Sequence, residues 1–304
     1  MKIKANNIDI EIEDTGKVGD TRPVVLLIMG LATQLTGWPE PMVHALDAAG
    51  FRVVRLDNRD IGLSQYFDHL GTPNLVWATI KQRLGFKQRA AYSLEDMARD
   101  AIGVLDALNI DSAHIVGASM GGMIAQRVAI AAPQRVKSLV SIMSSSGGRG
   151  LPRPKAAATR AILSRPKSNA PQDIADRIVQ VFQTIGSPGF RTDPALLRER
   201  ALASVARSYH PQGVARQLMA IVADTMRATQ LPSIKAPTLV LHGRADPLVP
   251  FGHGEDTARR IPGARLVGID GMGHDLPQGV VDHLLSHMIP FMSAPQVAIE
   301  HVAD

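Results

Sequence analysis

Short apolar runs alternate with stretches of helical periodicity along most of the chain. Residues 23–29, PVVLLIM, are nearly all apolar, which is typical of a strand buried on both faces of a parallel sheet. Residues 93–109 open with Ser93 and Asp96 at capping-box spacing and continue at helical period. Further strand patterns cover 51–57, 113–117, 136–143, 236–243 and 264–270. This alternation predicts an α/β fold, a doubly wound and mostly parallel sheet with helices on both faces.

Residues 144–231 depart from this alternation because they show helical patterns alone. One apolar helical face contains Ile174, Ile178 and Val181, and a second helix is predicted after an Asp193 N-cap with Pro194 in its first turn. The segment lies between two predicted strands, so we expect it to leave one edge of the sheet and fold over it as a lid. The predicted domains are a core of residues 1–143 and 232–304 and a helical cap of residues 144–231.

Charge is unevenly distributed. Residues 149–235 carry 14 Lys and Arg against 5 Asp and Glu, whereas the rest of the chain carries 19 against 23, for a net charge of +5. The basic segment has no interleaved aromatic residues and no zinc-finger or RNA-binding signature, which argues against a nucleic-acid partner. Solvated helix faces explain most of this charge, and we hypothesise that the surplus favours anionic substrates.

The chain contains no cysteine, which excludes disulfides, thiolate metal sites and cysteine nucleophiles. At its start, Ile8, Ile10 and Ile12 alternate with polar residues, a pattern that predicts a half-buried strand and not an apolar signal segment. The longest apolar run, VVLLIMGLA at 24–32, is too short to span a bilayer. We therefore predict a cytoplasmic protein without a membrane span.

Residues 117–121, GASMG, fit the pattern G-x-S-x-G directly after a predicted strand and before a predicted helix. That context predicts a nucleophile elbow, a sharp strand-to-helix turn that presents Ser119. The turn forces the serine towards positive φ and brings the helix against its neighbours, so Cβ atoms at Gly117 and Gly121 would clash. A glycine-rich turn with an incidental serine is the alternative interpretation.

A serine hydroxyl becomes a good nucleophile only when a base takes its proton, and the base must be oriented by an acid. In this kind of fold the acid and the histidine follow the serine in that order, each after a strand. The stretch LVLHGRADPLVP supplies Asp246, and LVGIDGMGHDLP supplies His274. Asp270 and Asp275 are alternative acids, but they lie too close to His274 in sequence to reach its ring easily.

Two backbone N–H groups are needed to hold the oxyanion of a tetrahedral intermediate. We assign one to Met120, directly after the serine, and the other to Leu31 in the loop MGLATQLTGW, where Gly30 permits a tight turn. A plain strand-ending turn is the alternative interpretation of this loop.

The other histidines predict no metal site. His242 ends an apolar strand, which favours a packing role. His283 and His287 share a helix face but have no evident third ligand. A solvated helix face is the better interpretation of that pair.

Five segments resemble the successive signatures of the α/β-hydrolase superfamily: IMGLATQLTGWPE, LDNRDIGLS, VGASMGG, LHGRADPLVP and GMGHDLP. The MG…GWP loop is similar to that of aclacinomycin methylesterase and related serine esterases. Many relatives have His-Gly where this chain has Met29 and Gly30. The resemblance covers most of the chain except the lid and implies an eight-stranded sheet, a helical cap before the acid-bearing strand, ester hydrolysis and no cofactor. Matched by position, it implies a nucleophile, an acid, a base and two oxyanion amides at Ser119, Asp246, His274, Leu31 and Met120.

We therefore predict a serine carboxylesterase that hydrolyses a small to medium ester through an acyl-enzyme. Perhydrolases, lactonases and C–C bond hydrolases use the same triad, and no motif here separates them from esterases. Haloalkane dehalogenases and epoxide hydrolases need a carboxylate nucleophile, so Ser119 disfavours both. A non-catalytic receptor that keeps the pocket for ligand binding is a further alternative. Lid residues such as Phe182 and Met219 are predicted to line an apolar pocket.

Overall fold

The computed structural model describes residues 1–17, 19–74 and 90–294. Its strands form one sheet in the order β1-β2-β4-β3-β5-β6-β7-β8. The sheet is parallel from β4 to β8, whereas β2 runs antiparallel to both β1 and β4. The predicted mostly parallel α/β sheet of eight strands is confirmed. The strands are β1 (Lys2–Ala5), β2 (Ile8–Asp14), β3 (Val24–Ile28), β4 (Arg52–Leu56), β5 (Ala113–Ala118), β6 (Val136–Ile142), β7 (Thr238–Gly243) and β8 (Arg265–Ile269).

Helices cover both faces of the sheet and make up the segment between β6 and β7. Residues 144–231, all of which the structure describes, contain five α-helices and no strand; we call this segment the insert. None of the helices in the described ranges is both long enough and apolar enough to cross a membrane. The α-helices among the described residues are α1 (Glu40–Ala48), α2 (Leu94–Ala107), α3 (Met120–Ala131), α4 (Ala156–Leu163), α5 (Pro171–Ile185), α6 (Pro194–Arg207), α7 (Pro211–Ala223), α8 (Arg227–Gln230), α9 (Gly252–Arg260) and α10 (Gln278–Ser293).

The two hydrophobic cores lie on opposite faces of the sheet, and β3 contributes to both. Val24, Leu26 and Ile28 are buried in the core that contains residues of α2 and α3. Val25 and Leu27 are buried in the core that contains residues of α1 and α10. Because helices cover both faces, no position of this strand meets water, and a continuous apolar run results.

The sheet register places the loops that follow β3, β5, β6, β7 and β8 along one edge. Ile28 at the end of β3 pairs with Gly117 near the end of β5, and Gly243 at the end of β7 pairs with Ile269 of β8. In parallel sheets this carboxyl edge is where ligands bind. All predicted catalytic side chains lie in loops at this edge.

A buried ion pair fastens the insert to the core. Arg216 of α7 donates from Nε and Nη2 to the two carboxylate oxygens of Asp60, at 2.7 and 2.8 Å, and both side chains are fully buried. Asp60 adopts a φ of 68°, a strained conformation for a residue other than glycine. Arg207 of α6 makes a second contact, because its Nη1 donates to the buried Asp57 carboxylate at 2.7 Å. Both charged contacts cross from the insert to the core.

Replacing Arg216 with alanine should lower the free energy of unfolding by about 3–5 kcal/mol, because Asp60 would stay buried without its partner. Urea titration followed by circular dichroism measures this loss. Arg198→Ala is the matched control: its partner Asp176 is exposed, so the loss should be under about 1 kcal/mol. Equal losses in the two variants would contradict a stabilising role for the buried pair.

Stability should also fall in mild acid because of His114 in β5. This ring is buried and lies 2.8 Å from Ser138 Oγ, and burial lowers its pKa to about 4, whereas an unfolded histidine titrates near about 6.5. Between these two values the unfolded chain binds more protons, so up to about 3 kcal/mol of stability is lost as pH falls from 6.5 to 4. His114→Gln should lose less on moving from pH 7 to pH 4.5, as measured by urea titration. An identical loss in both proteins would exclude His114 as the cause.

Candidate active site

Ser119 lies at a sharp turn between β5 and α3. Its φ of 56° and ψ of −120° place it in a region that only glycine occupies without strain. Its N–H donates to the Ile142 carbonyl at 2.9 Å, and its carbonyl accepts a hydrogen bond from Ser144 Oγ at 2.7 Å. These contacts with the end of β6 hold the backbone of the turn.

Two glycines make the turn possible by letting backbones touch. A Cβ on Gly117 would lie 2.1 Å from the Gly121 carbonyl oxygen, and one on Gly121 would lie 1.9 Å from the carbonyl oxygen of Ile28. Both obstacles are main-chain atoms, so neither can move aside cheaply. The pattern G-x-S-x-G is therefore a steric requirement of this turn.

Ser119, His274 and Asp246 form a hydrogen-bonded chain. His274 Nε2 lies 3.0 Å from Ser119 Oγ, and its Nδ1 lies 2.6 Å from Asp246 Oδ2. The other carboxylate oxygen of Asp246 accepts the N–H groups of Leu248 and Val249, each at 2.8 Å. With Nδ1–H donated to Asp246, the Nε2 lone pair faces the serine hydroxyl. A base in this position can take the proton of Ser119 as its oxygen attacks.

The alternative acids lie elsewhere. The Asp270 side chain is 92% exposed and pairs with Arg244. Asp275 Oδ1 accepts the N–H and the hydroxyl of Ser187, at 2.9 and 2.5 Å, and burial raises the pKa of its carboxyl. Neither carboxylate is hydrogen-bonded to the His274 ring, whereas that of Asp246 is.

The remaining histidines lie outside this chain of hydrogen bonds. His242 is fully buried and donates from Nε2 to the Val249 carbonyl at 2.7 Å, and burial lowers its pKa. His283 contacts the ring of Phe190. Within the described residues, no group of three or more His, Cys, Asp or Glu side chains is arranged to hold a metal ion.

The two amides predicted to form the oxyanion hole belong to the first residue of α3 and to the loop after β3, which meet at Ser119. Met120 directly follows the serine. Gly30, which precedes Leu31, lies so close that a Cβ there would be 3.0 Å from the Ser119 Cβ. Within the described ranges, neither the Met120 N–H nor the Leu31 N–H donates to a protein acceptor. Both groups therefore keep their hydrogen-bonding capacity for a ligand.

The insert holds the loop that carries Leu31. The next residue, Ala32, has a φ of 61°, and its N–H donates to Gln217 Oε1 of α7 at 3.3 Å. Gln217 is fully buried and donates in turn to the Arg59 carbonyl at 2.8 Å. Gln34, further along the same loop, donates to the Ser204 carbonyl at 2.7 Å. No sequence pattern points to these contacts, because they join residues more than 150 positions apart.

Comparison with known proteins defines the class. The family model described as alpha/beta hydrolase fold matches residues 23–277, so the chain belongs to the α/β-hydrolase family. It is a hydrolase whose relatives include methylesterases.

The relatives span nearly the whole chain. Rhodomycin D methylesterase DauP of Streptomyces sp. (strain C5) is 28% identical over 279 residues, which cover 86% of this chain and 87% of that protein. The 2-hydroxy-6-oxononadienedioate/2-hydroxy-6-oxononatrienedioate hydrolase of Cupriavidus pinatubonensis is 30% identical over 87% of this chain and 84% of its own length. The crystal structure of the enol-lactonase from Burkholderia xenovorans LB400 superimposes with a TM-score of 0.71 at 22% identity, over 97% of this chain and 100% of that one. This likeness shows the shared fold.

Gly121→Ala should destabilise the protein by about 3 kcal/mol or more, because the new Cβ would overlap the Ile28 carbonyl oxygen. The midpoint of urea unfolding measures the effect. Gly252→Ala is the control: its Cβ would meet side-chain atoms and no backbone, with the Pro152 ring at 3.0 Å and Glu255 Oε2 at 3.8 Å, and alanine favours the helix. If the two variants unfold at the same urea concentration, the steric account of Gly121 is wrong.

Proposed function

We propose that the chain is a serine carboxylesterase that hydrolyses small to medium esters through an acyl-enzyme. The observation that carries this proposal is the hydrogen-bonded chain from Ser119 Oγ through His274 to Asp246, at 3.0 and 2.6 Å. It is supported by the strained turn at Ser119 and by the loop of Gly30 and Leu31, which lies beside it. It is also supported by the similarity to two rhodomycin D methylesterases.

In the proposed mechanism, Ser119 Oγ attacks the ester carbonyl carbon while His274 Nε2 takes the hydroxyl proton. The N–H groups of Leu31 and Met120 hold the oxyanion of the tetrahedral intermediate. The protonated histidine then gives its proton to the leaving alkoxide as the C–O bond breaks. Water repeats the same steps on the acyl-enzyme and releases the acid. Asp246 fixes the histidine tautomer and stabilises the imidazolium, and no cofactor is required.

We also propose that residues 1–143 and 232–304 form the catalytic core and that the insert, residues 144–231, acts as its lid. The insert contacts both the Leu31 loop and, through the Ile185 carbonyl, the N–H of His274. Phe182 of α5 lies half-buried against an apolar cluster that includes Val181, and Met219 of α7 is buried. An apolar acyl or alcohol group suits a pocket next to such side chains.

Hydrolysis of a C–C bond is the second candidate. It is favoured by the 30% identity to the Cupriavidus 2-hydroxy-6-oxononadienedioate/2-hydroxy-6-oxononatrienedioate hydrolase. The two activities differ in the group that leaves, because an alkoxide leaves an ester whereas a carbon atom must be protonated when a C–C bond breaks. A panel of p-nitrophenyl esters of increasing chain length, lactones and a vinylogous 1,5-diketone distinguishes them on one enzyme preparation. Faster turnover of the diketone would favour the second candidate.

Ser119→Ala should reduce the hydrolysis of p-nitrophenyl butyrate by at least about 10⁴-fold, because the nucleophile is lost while the amides remain. Stopped assays of kcat/KM measure this loss. Asp246→Asn should reduce kcat by about 10⁴-fold, because the histidine would adopt the wrong tautomer. Ser141→Ala, a buried serine of β6 next to Gly117 in the sheet, is the control and should keep most of the activity. Wild-type turnover by Ser119→Ala would end the proposal.

A further inference from the structure

The loop that carries His274 is hydrogen-bonded to the insert at Gly271, Gly273, His274 and Asp275. Residues 185–189 follow or end α5, and they lie against residues 271–275; we call these two segments the histidine joint. The backbone N–H of His274 donates to the Ile185 carbonyl at 2.7 Å, and the backbone N–H of Gly189 donates to the Gly271 carbonyl at 3.0 Å. The main chain on both sides of the imidazole is thus bonded to the insert.

Ser187 is the centre of the histidine joint. Its hydroxyl accepts the Gly273 N–H at 2.8 Å and donates to Asp275 Oδ1 at 2.5 Å. Its own N–H donates to the same oxygen at 2.9 Å. With an exposed fraction of only 3%, this serine binds the residues immediately before and after His274. Its hydroxyl orientation is therefore fixed from two sides.

Glycines bring the two segments of the joint into backbone contact. A Cβ on Gly273 would lie 2.3 Å from the Gly186 carbonyl oxygen, and one on Gly271 would lie 3.0 Å from the Cα of Gly189. A Cβ on Gly186 would meet a carboxylate oxygen of Asp275 at 2.7 Å. Close approach of this kind leaves little room for one segment to slide on the other.

We propose that the histidine joint positions His274 for proton transfer, with Ser187 and Asp275 as positioning residues that act through the backbone of the loop. The proposal rests on the proposed role of His274 as the base. Asp246 aligns the imidazole ring from one side, but one hydrogen bond to the ring does not fix the distance between the backbone of the His274 loop and Ser119. The insert supplies that second constraint, so it forms part of the catalytic framework in addition to covering it.

The burial of Asp275 supports this role. Burial raises the pKa of its carboxyl, so the ionised form costs stability at neutral pH. Asp275 Oδ1 nevertheless accepts two hydrogen bonds from Ser187, one from its N–H and one from its hydroxyl. A buried carboxylate that lowers stability but holds a neighbouring residue in this way fits a role in positioning that residue. An amide side chain at this position would keep an acceptor oxygen without the charge.

Four variants and two matched controls test the proposal. Ser187→Ala and Asp275→Ala should lower kcat for p-nitrophenyl butyrate by about 10- to 100-fold and change KM by less than about twofold, because a displaced base affects the chemical step and not binding. Ser187→Gly removes the same hydroxyl and replaces Ser187→Ala in the comparison if the alanine variant folds poorly. Asp275→Asn should keep kcat within about threefold of the wild type, because its amide oxygen can accept both Ser187 donors.

The controls remove similar groups outside the joint. Thr184→Ala deletes a hydroxyl of α5 that donates to Gln180 of the same helix. Asp270→Asn neutralises the exposed aspartate on the other side of His274. Both should retain wild-type kcat. A kcat in Ser187→Ala and Asp275→Ala equal to that of these controls overturns the proposal, and so does an Asp275→Asn variant as slow as Asp275→Ala.

A second measurement does not depend on ester turnover. The Nδ1 proton of His274, hydrogen-bonded to Asp246, should give a downfield proton resonance that broadens or moves in Ser187→Ala and stays unchanged in Thr184→Ala. If the wild type hydrolyses no ester, the proposed function fails, and this resonance then decides the fate of the joint. An unchanged resonance in Ser187→Ala overturns the positioning role, whereas a broadened one supports it.

Discussion

The strained turn at Ser119 is the constraint on which the packing around it depends. A serine at a φ of 56° is stable only where its neighbours fix it. Here Ile142 at the end of β6 accepts its N–H, and Ser144, just after that strand, donates to its carbonyl. The turn also needs Gly117 and Gly121, because β3, β5 and α3 approach each other at backbone distance. A helix that starts directly after the strand therefore aims its first N–H groups towards the serine. The close backbone packing at Gly117 and Gly121 and the strained position of Ser119 are therefore one structural feature.

The insert and the core are electrostatically complementary. The insert region carries a surplus of positive charge and the rest of the chain a surplus of negative charge. Part of this imbalance is resolved at their contact, where Arg207 meets Asp57 and Arg216 meets Asp60. Burial raises the pKa of Asp57, against the effect of the two backbone N–H groups and the guanidinium that it binds. The basicity of the insert is therefore partly a means of attachment, which leaves fewer free cations for an anionic substrate than composition implies.

The sequence predicts well what depends on neighbours in the chain. The capping box forms as predicted, with the Asp96 N–H donating to Ser93 Oγ at 3.1 Å. The strand patterns coincide with β3 to β8, and the apolar signature is most continuous in β3 and β7, which are buried at every position. In the site, the G-x-S-x-G turn and the loops after two later predicted strands supply the serine, the acid and the histidine in that order. The structure brings Ser119, Asp246 and His274 into contact. Their catalytic roles stay predictions.

What the sequence does not reveal is how distant segments meet. The hairpin of β1 and β2 reads as one alternating stretch, because its turn at Asn6 and Asn7, both at positive φ, is short and polar like its flanks. Asp275 looks only like a rival acid beside His274, since its partner Ser187 lies 88 positions away. Gln217 and Arg216 look like ordinary polar helix residues. Their roles depend on side chains that only the folded chain places against them.

The buried pair of Asp60 and Arg216 has a consequence for how such chains diverge. Glycine at position 60 would relieve the positive φ, but it would leave the buried Arg216 guanidinium with only the exposed Asp68 as its counter-charge. An apolar residue at position 216 would in turn leave the Asp60 carboxylate buried without its main ion-pair partner. Each single step leaves one buried charge without its main partner, whereas the double change removes both charges together and should lose less stability. Positions 60 and 216 should therefore covary across related sequences, so that the core and the insert change together.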